Sequence, residues 1–172
     1  MNLTKVSIIT VVYNNVEYIQ NAIQSVLSQD YLNIEYIVID GNSNDGTISA
    51  IKEFEDQIDY FFSSSDKGIY DALNKGIEIS TGEIIGILHS DDLFIDTKVV
   101  SEMVTKLQSE DAEFIFSDLI IINPETKKLI RYYMAHYFQP WMLRIGWVPP
   151  HPTVFMKKTI YDEFGDYSLD YE

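Results

Sequence analysis

IIGILHSDD, residues 84–92, is an apolar run that ends on two adjacent carboxylates. A run of this kind, bounded by polar residues, predicts a strand covered on both faces, as in a parallel sheet. The last residues of such a strand lie at the carboxyl edge of the sheet, where α/β folds bind their ligands. Two carboxylates about 4 Å apart repel by about 4 kcal/mol at an effective dielectric constant of about 20, and a divalent cation turns this repulsion into attraction. Asp91 and Asp92 are therefore predicted to hold a metal ion.

The alternative for this carboxylate pair is a solvated turn that starts the following helix. Asp96 is the better candidate for the N-cap of that helix, because apolar residues follow it at helical spacing. These residues are Val100, Met103, Val104 and Leu107. A cap at Asp96 leaves Asp91 and Asp92 available for a ligand.

Between Val6 and Ser117, short β-branched runs alternate with stretches of helical periodicity, which predicts successive βαβ units around a mostly parallel sheet. The predicted strands are 6–12, 35–39, 58–62, 83–88 and 113–117. Apolar residues at helical spacing predict helices over 19–27 and 69–77, and a shorter helix spans 47–54. After Asp118 the alternation ends, and residues 119–122 and 127–133 resemble a hairpin around a turn at 123–126.

Parallel strands place their carboxyl ends along one edge of the sheet. The polar and aromatic residues predicted to gather there are Tyr13, Asn14, Asp40, Ser63 to Asp66, Asp91, Asp92 and Asp118. Several carboxylates are thus expected on one rim.

Length and charge narrow the classes of function. The 172 residues, of which 46% are hydrophobic, predict a single domain over 1–172. The formal charge of −15 would repel a phosphate backbone, so no nucleic-acid partner is expected. The same charge would repel a phosphorylated substrate unless a cation intervened.

The chain has no cysteine, which removes disulfides and thiolate chemistry and favours a cytoplasmic location. The apolar run from Val6 to Val12 is too short to span a membrane and has no small-residue cleavage site behind it. An aromatic stretch over 132–147 could stack sugars or lie at a membrane interface, or it could pack its rings on the core.

Three further motifs accompany His89-Ser90-Asp91-Asp92: SIITVVYN at 7–14, YIVIDGNS at 36–43 and DKGIYDALNKG at 66–76. With them the chain resembles the inverting glycosyltransferases of the GT-A fold, in particular the large family 2 that builds bacterial surface polysaccharides. The resemblance implies an α/β, Rossmann-like three-layer sandwich with a mostly parallel sheet and a later hairpin. It also implies a metal-dependent hexosyltransferase that moves a sugar from a nucleotide-diphosphate donor, a UDP-sugar, to a glycan or lipid-linked acceptor.

The resemblance also implies roles for single residues. Tyr13 would stack on the base, and Asp40, an acceptor-only carboxylate, would accept the imide N–H of uracil or thymine. Asp91 would contact the ribose, while Asp92 would bind manganese or magnesium. An Asx turn or N-cap is the alternative for Asp40 and could coexist with base binding.

Two basic residues complete the expected site. Lys67 and the N–H groups near Gly68, at a helix start, could assist the phosphates, although a solvated lysine is the simpler alternative. His151, followed by Thr153-Val154-Phe155, matches a family histidine near the donor sugar and the metal, and a purely structural role is its alternative.

Inversion requires a general base, which the family supplies from an acidic residue in a short Asp-aromatic motif. Residues 161–165 and 167–172 resemble the segment just before that motif. The base is therefore expected beyond Glu172, the pair Asp170-Tyr171 is considered an accidental mimic, and the chain is expected to be truncated at its C-terminal end.

Two other functions remain open. The missing base is compatible with a non-catalytic sugar-nucleotide binding module. A sugar nucleotidyltransferase would share the sheet and the metal, but it needs a glycine-rich loop after the first strand, where residues 12–15 contain no glycine. The expected location of the chain is cytoplasmic, with peripheral contact at the cytoplasmic face of the inner membrane, because of the aromatic stretch and the expected lipid-linked acceptor.

Overall fold

The computed structural model describes residues 3–170, and a six-stranded sheet in the order β3-β2-β1-β4-β8-β5 forms its centre. The strands of this sheet are β1 (Val6–Val12), β2 (Ile34–Asp40), β3 (Tyr60–Ser63), β4 (Ile84–Ile87), β5 (Phe114–Ile115) and β8 (Phe155–Lys157). A separate hairpin pairs β6 (Leu119–Ile122) with β7 (Leu129–Tyr133). The helices are α1 (Ile19–Leu27), α2 (Thr47–Lys52), α3 (Ile69–Ile79), α4 (Val99–Ser109) and α5 (Lys158–Phe164).

The predicted α/β fold with a mostly parallel sheet and a later hairpin is confirmed. Strands β1 to β4 are mutually parallel, and each of the five predicted strands is present, although β5 is only two residues long. Strand β8 was not predicted. It inserts antiparallel between β4 and β5, so β5 runs in the same direction as β4.

Helices cover both faces of the sheet, which is why β1 is buried along its whole length. Ile8 points into a core cluster with α1, α2 and α4, whereas its neighbour Ile9 points into a second cluster with α3. Gly76 allows α3 to lie close to β1, since a Cβ at this position would be 2.5 Å from Cγ2 of Ile9. Each fully buried isoleucine contributes roughly 1.5–3 kcal/mol through removal of apolar surface from water.

The start of α4 differs from the sequence-based expectation. The helix begins at Val99 with Lys98 as its N-cap residue, and Asp96 accepts a hydrogen bond from the backbone N–H of Lys98 at 2.8 Å. Asp96 therefore closes a turn ahead of the helix, and its prediction as N-cap is wrong. Within residues 3–170, no helix combines the length and the apolar character that a membrane span needs.

Glu35 holds together the amino edge of the sheet, opposite the predicted functional rim. Its side chain is 2% exposed and accepts hydrogen bonds from Lys5 Nζ at 2.6 Å, from Ser7 Oγ at 2.5 Å, and from Thr81 N and Oγ1 at 2.7 and 2.6 Å. Burial alone would raise the pKa of Glu35, but these donors outweigh it and lower the pKa to about 2. The charged form is therefore the one that the fold stabilises.

This shift predicts acid-dependent stability. Because the pKa of Glu35 in the folded chain is about 2, below its ordinary value of 4.5, its contribution is complete above about pH 5 and disappears as the pH falls toward 2. The expected loss over this range is about 3 kcal/mol in the free energy of unfolding. Urea unfolding at several pH values should show it for the wild type, and the difference between wild type and Glu35→Gln should shrink as the pH falls.

Candidate functional site

The carboxyl ends of β1 and β4 border a crevice where the chain changes direction across the sheet. The chain runs outward from β1 through β2 to β3 and then returns to the other side of β1 as β4. Such a switch point leaves a crevice beyond the carboxyl ends of the strands, which is where open α/β sheets bind ligands. The loops that follow β1, β2, β3 and β4 all reach this edge.

The loop after β1 is fixed by hydrogen bonds on both of its sides. The backbone N–H of Asn14 donates to Ser43 Oγ at 2.8 Å, and Asn14 has a positive φ of 47°. The Asn15 side chain donates to Ser90 Oγ at 2.8 Å, which connects this loop to the one after β4. Tyr13 lies in this fixed loop at the edge of the crevice, and 65% of its surface is exposed to solvent.

Asp40 supports this loop from below. Its Oδ1 accepts from Ser43 Oγ at 2.5 Å, and its Oδ2 accepts from Ser43 N at 3.0 Å and from Ser63 Oγ at 2.6 Å. Asp40 has no exposed surface in this conformation, and three donors engage its carboxylate. The Asx-turn alternative describes the observed geometry, and direct base contact by Asp40 stays a prediction.

Asp66 provides the free carboxylate that Asp40 does not. A Cβ at Gly41 would lie 2.7 Å from Asp66 Oδ2 and 3.3 Å from Cδ2 of the Tyr13 ring, so these three residues meet at one point. Asp66 Oδ1 accepts from Gly68 N at 3.0 Å, while Oδ2 points toward Gly41. Sequence reasoning placed Asp66 on the rim but gave it no role. The sequence feature that could have indicated a role for Asp66 is Gly41, because the absence of a side chain there leaves space above the loop.

The start of α3 offers less to a phosphate than expected. The N–H of Lys67 donates to Asp71 Oδ2 at 3.1 Å, and the N–H of Gly68 donates to Asp66. These donors are therefore occupied by carboxylates. The side chain of Lys67 is exposed, and Lys75 Nζ reaches the same loop, where it donates to the carbonyl of Ser65 at 3.2 Å.

Asp91 and Asp92 follow β4 and differ in their surroundings. Asp91 is exposed, whereas Asp92 is half-buried and its N–H donates to the carbonyl of His89 at 3.0 Å. Burial and, secondly, the charge of Asp91 raise the pKa of Asp92 to about 6. A carboxylate in this position is poorly stabilised by the protein, and a cation would stabilise it.

His151 lies against the same strand end because β8 pairs with β4. Its ring centroid is 5.7 Å from that of His89, and its Nε2 is 2.7 Å from the hydroxyl of Tyr167. Burial, together with the neighbouring His89, lowers the pKa of His151, and burial also lowers the pKa of His89. Both imidazoles are thus favoured in the neutral form, which is the form that can ligate a metal.

The donor set fits a divalent cation that is shared with a ligand. Among residues 3–170, no three His, Cys, Asp or Glu side chains are close enough to form a metal site by themselves. Asp92 presents a hard oxygen, and the buried Nδ1 of His89 has no hydrogen-bond partner within the described chain. Magnesium and manganese usually take only one or two carboxylates and complete their shell with phosphate oxygens and water.

Tyr167 is a second residue that sequence reasoning missed. Its backbone N–H donates to Asn74 Oδ1 at 2.9 Å and its carbonyl accepts from Asn74 Nδ2 at 2.8 Å, so it is fixed to α3. Its ring stacks on Tyr70 at 5.6 Å, and its hydroxyl orients His151. No local pattern indicates this role, since the residues involved are far apart in sequence. Tyr171 and Glu172, next to the expected base, lie outside the described residues.

Asp118 does not join the crevice. It accepts hydrogen bonds from the hydroxyl of Tyr132 and from the N–H of Ala135, the latter at 2.7 Å, and thereby fixes the hairpin to the end of β5. The predicted rim thus divides into a crevice at β1, β2 and β4 and an anchoring point at β5.

Solved structures share this fold. A mannosyltransferase of Pyrobaculum calidifontis, PcManGT, in complex with GDP-Man and Mn2+, superposes with a TM-score of 0.75 at 19% identity, covering 97% of this chain and 48% of that one. S. aureus TarS 1-349 in complex with UDP-GlcNAc superposes with a TM-score of 0.74 at 17% identity, covering 93% and 47%. At these identities the likeness establishes the fold alone.

Sequence comparison identifies the family. An uncharacterized glycosyltransferase of Mycobacterium tuberculosis is 32% identical over 172 residues, covering 96% of this chain and 63% of the relative. One of Rickettsia typhi is 31% identical over 181 residues, covering 97% and 56%. The chain thus spans less than two thirds of the length of these relatives. The sequence profile described as Glycosyl transferase family 2 matches residues 7–168. The chain therefore belongs to glycosyltransferase family 2.

Proposed function

We propose that this chain binds a nucleoside-diphosphate sugar, a UDP-sugar, together with Mn2+ or Mg2+, as the donor-binding part of an inverting glycosyltransferase. The observation that carries this proposal is the meeting of Tyr13, Gly41 and Asp66 on one side of the crevice with Asp91 and Asp92 on the other. The acceptor is a glycan or a lipid-linked glycan of a surface polysaccharide. We infer a cytoplasmic location with peripheral contact to the inner membrane.

The base subsite is assigned to Tyr13 and Asp66. The exposed ring of Tyr13 stacks on the base, and Oδ2 of Asp66 accepts an N–H from its edge. Asp40 acts through Ser43, whose hydroxyl bridges Asp40 and the N–H of Asn14 and so holds the Tyr13 loop. A carboxylate accepts but does not donate, so it favours uracil, with its imide N–H, over cytosine.

The diphosphate and the sugar are assigned to the other side of the crevice. Asp92 would ligate the cation, Asp91 would contact the ribose, and the ammonium of Lys67 would face the phosphates. His151, oriented by Tyr167, would lie beside the donor sugar or the cation. When bound, the cation would stabilise the charge of the departing diphosphate. A neighbour in complex with GDP-Man and Mn2+ and another with UDP-GlcNAc support a nucleotide-sugar donor.

Isothermal titration calorimetry tests this function directly. UDP should bind in the presence of Mn2+ and lose most of its affinity when EDTA replaces the metal, with GDP and CDP as competitors for base preference. Equal binding with and without metal would contradict the metal site. Donor hydrolysis, assayed for the chain and for a form extended beyond Glu172, separates an enzyme from a binding module. Tight UDP binding without turnover in either form would favour the non-catalytic module.

Asp66→Asn should weaken the preference for uracil. The asparagine keeps the acceptor for Gly68 N–H through its oxygen and presents an NH2 group where Oδ2 was, which suits the acceptor N3 of cytosine. The UDP-over-CDP affinity ratio is expected to fall by roughly 10-fold or more, the size of a hydrogen bond to a charged group. Calorimetry with both nucleotides measures the ratio. Asp56→Asn, which removes the same charge from an exposed turn, is the control and should leave the ratio unchanged.

A further inference from the structure

One exposed segment differs in charge from the rest of the molecule. Residues 119–148, here named the basic-aromatic arm, contain four Lys or Arg and one Glu, whereas the remainder of the chain has eight Lys or Arg against 26 Asp or Glu. The arm therefore carries a formal charge of +3 on a chain whose other residues sum to −18. Both arginines of the chain, Arg131 and Arg144, and both tryptophans, Trp141 and Trp147, lie in it.

The arm exposes apolar side chains as well as charges. Neither face of the β6–β7 hairpin is covered by the sheet, and Ile130 in β7 is 64% exposed. In the turns that follow, Trp141 is 56% exposed, Ile145 72% and Val148 67%. Apolar exposure of this extent within one segment indicates an interaction surface, because monomeric soluble proteins rarely leave large apolar patches in water.

Only some of the aromatic rings pack inward. Phe138 meets Phe116 edge-on at 5.3 Å and Trp147 at 4.9 Å between ring centroids, which holds the arm against the end of β5. Trp141 and Tyr137 belong to the exposed set. The arm is therefore anchored by one group of rings and presents another to solvent, and both arginines are exposed as well.

The arm lies on the same edge of the sheet as the crevice. It begins after Asp118 at the carboxyl end of β5, and the chain re-enters the sheet through His151 and β8 beside β4. A molecule bound by the arm is thus on the same edge of the sheet as the proposed donor site, so an acceptor carried on a lipid would be presented at that edge.

We propose that the basic-aromatic arm is a docking surface for an anionic lipid bilayer. Exposed Trp, Tyr and Ile side chains enter the interface between head groups and acyl chains, and Arg131, Arg144 and the two lysines of the hairpin turn contact lipid phosphates. A second copy of the chain fits less well, since an arm-to-arm contact would bring together two surfaces that each carry a formal charge of +3. The acidic remainder of the chain opposes binding only weakly, because charges more than about 8 Å from the bilayer are largely screened at physiological salt. The biological role of this docking rests on the proposed function, whereas the binding of the arm to a bilayer does not depend on it.

Vesicle co-sedimentation of the 172-residue chain tests this surface. Binding is expected to phosphatidylcholine vesicles that contain phosphatidylglycerol, to be much weaker without it, and to decrease with salt. Arg131→Gln with Arg144→Gln should reduce the partition coefficient by roughly 30-fold, given the typical contribution of each basic residue near an anionic surface. Lys52→Gln with Lys98→Gln removes the same charge from the helical layers and should bind like the wild type. Circular dichroism verifies that both variants fold.

Fluorescence locates the contact within the arm. With brominated lipids, Trp141 should be quenched in a Trp147→Phe variant, whereas Trp147 should be largely spared in a Trp141→Phe variant. Binding that is insensitive to phosphatidylglycerol or to the two arginines would overturn the proposal. So would sedimentation velocity showing an arginine-dependent dimer without vesicle binding, because the surface would then join two copies. Calorimetry of UDP with the same variants should show unchanged affinity, which separates this inference from the proposed function.

Discussion

Replacing Asp92 with alanine is expected to remove the metal-dependent part of UDP binding and to weaken the apparent affinity in Mn2+ by more than roughly 100-fold. Loss of a residue that only supports a metal ligand already costs about 10–100-fold in metal affinity, and Asp92 is assigned as the ligand itself. The substitution should not lower the melting temperature, since burial and Asp91 disfavour the Asp92 carboxylate in the folded chain. Calorimetry with and without Mn2+ measures the effect.

Asp96→Ala is the matched control for Asp92→Ala. It removes a carboxylate from the same loop, four residues further on, where the Asp96 side chain accepts the hydrogen bond from Lys98 N and the backbone carbonyl of Asp96 accepts from Gln29 Nε2. UDP affinity in Mn2+ should remain at the wild-type level in this variant. An Asp92→Ala protein that bound UDP as tightly as the wild type, with the same dependence on Mn2+, would show that the cation is held elsewhere.

Glu35→Ala is expected to destabilise the fold by about 3–5 kcal/mol, because Ser7 Oγ and the N–H of Thr81 both lose a charged acceptor and a hydrogen bond to a charged group typically contributes roughly 1.5–3 kcal/mol. The substitution leaves Lys5, Ser7 and the backbone N–H of Thr81 without their shared acceptor. These groups connect β2 to the starts of β1 and β4, so the loss affects the centre of the sheet. Urea unfolding at neutral pH should show the change in the free energy of unfolding. Thermal unfolding should show a melting temperature lower by roughly 10 °C.

Glu83→Ala provides the comparison at the same edge of the sheet. Glu83 is exposed, and its backbone rather than its side chain makes the contacts with Lys5 and Lys158. Its replacement should change stability by less than about 0.5 kcal/mol. Equal stability of Glu35→Ala and Glu83→Ala would mean that the Glu35 cluster contributes little net free energy to the fold.

Periodic hydrophobicity was sufficient to predict five of the six strands of the central sheet and their order along the chain. The apolar runs at 6–12 and 84–88 and the helical stripes at 19–27 and 69–77 all form the expected strands and helices. These segments are long, and each buries one or both of its faces, so the periodicity of their apolar residues is easy to recognise. Strand β8 has only three residues and is defined by partners that are distant in sequence, so no local pattern could reveal it.

The site was predicted less completely than the fold. The positions of Tyr13, Asp91 and Asp92 at the ends of β1 and β4 follow from strand geometry. Strand geometry does not show which carboxylate is available to a ligand, because Asp40 and Asp66 both lie on the rim. Only the packing shows that Asp40 is enclosed by Ser43 and Ser63. Exposure and hydrogen bonding depend on loops that approach each other from different strands.

The sequence by itself determined the fold class, the edge of the sheet that carries the polar residues, and the pairing of Asp91 with Asp92, because each depends on local periodicity or on adjacent residues. The tertiary structure alone decided that Asp66 rather than Asp40 faces the space above Gly41, that Tyr167 orients His151, and that the basic-aromatic arm is exposed. These features arise from contacts between distant segments. The free energy of such contacts depends on burial and geometry, which residue order does not encode locally.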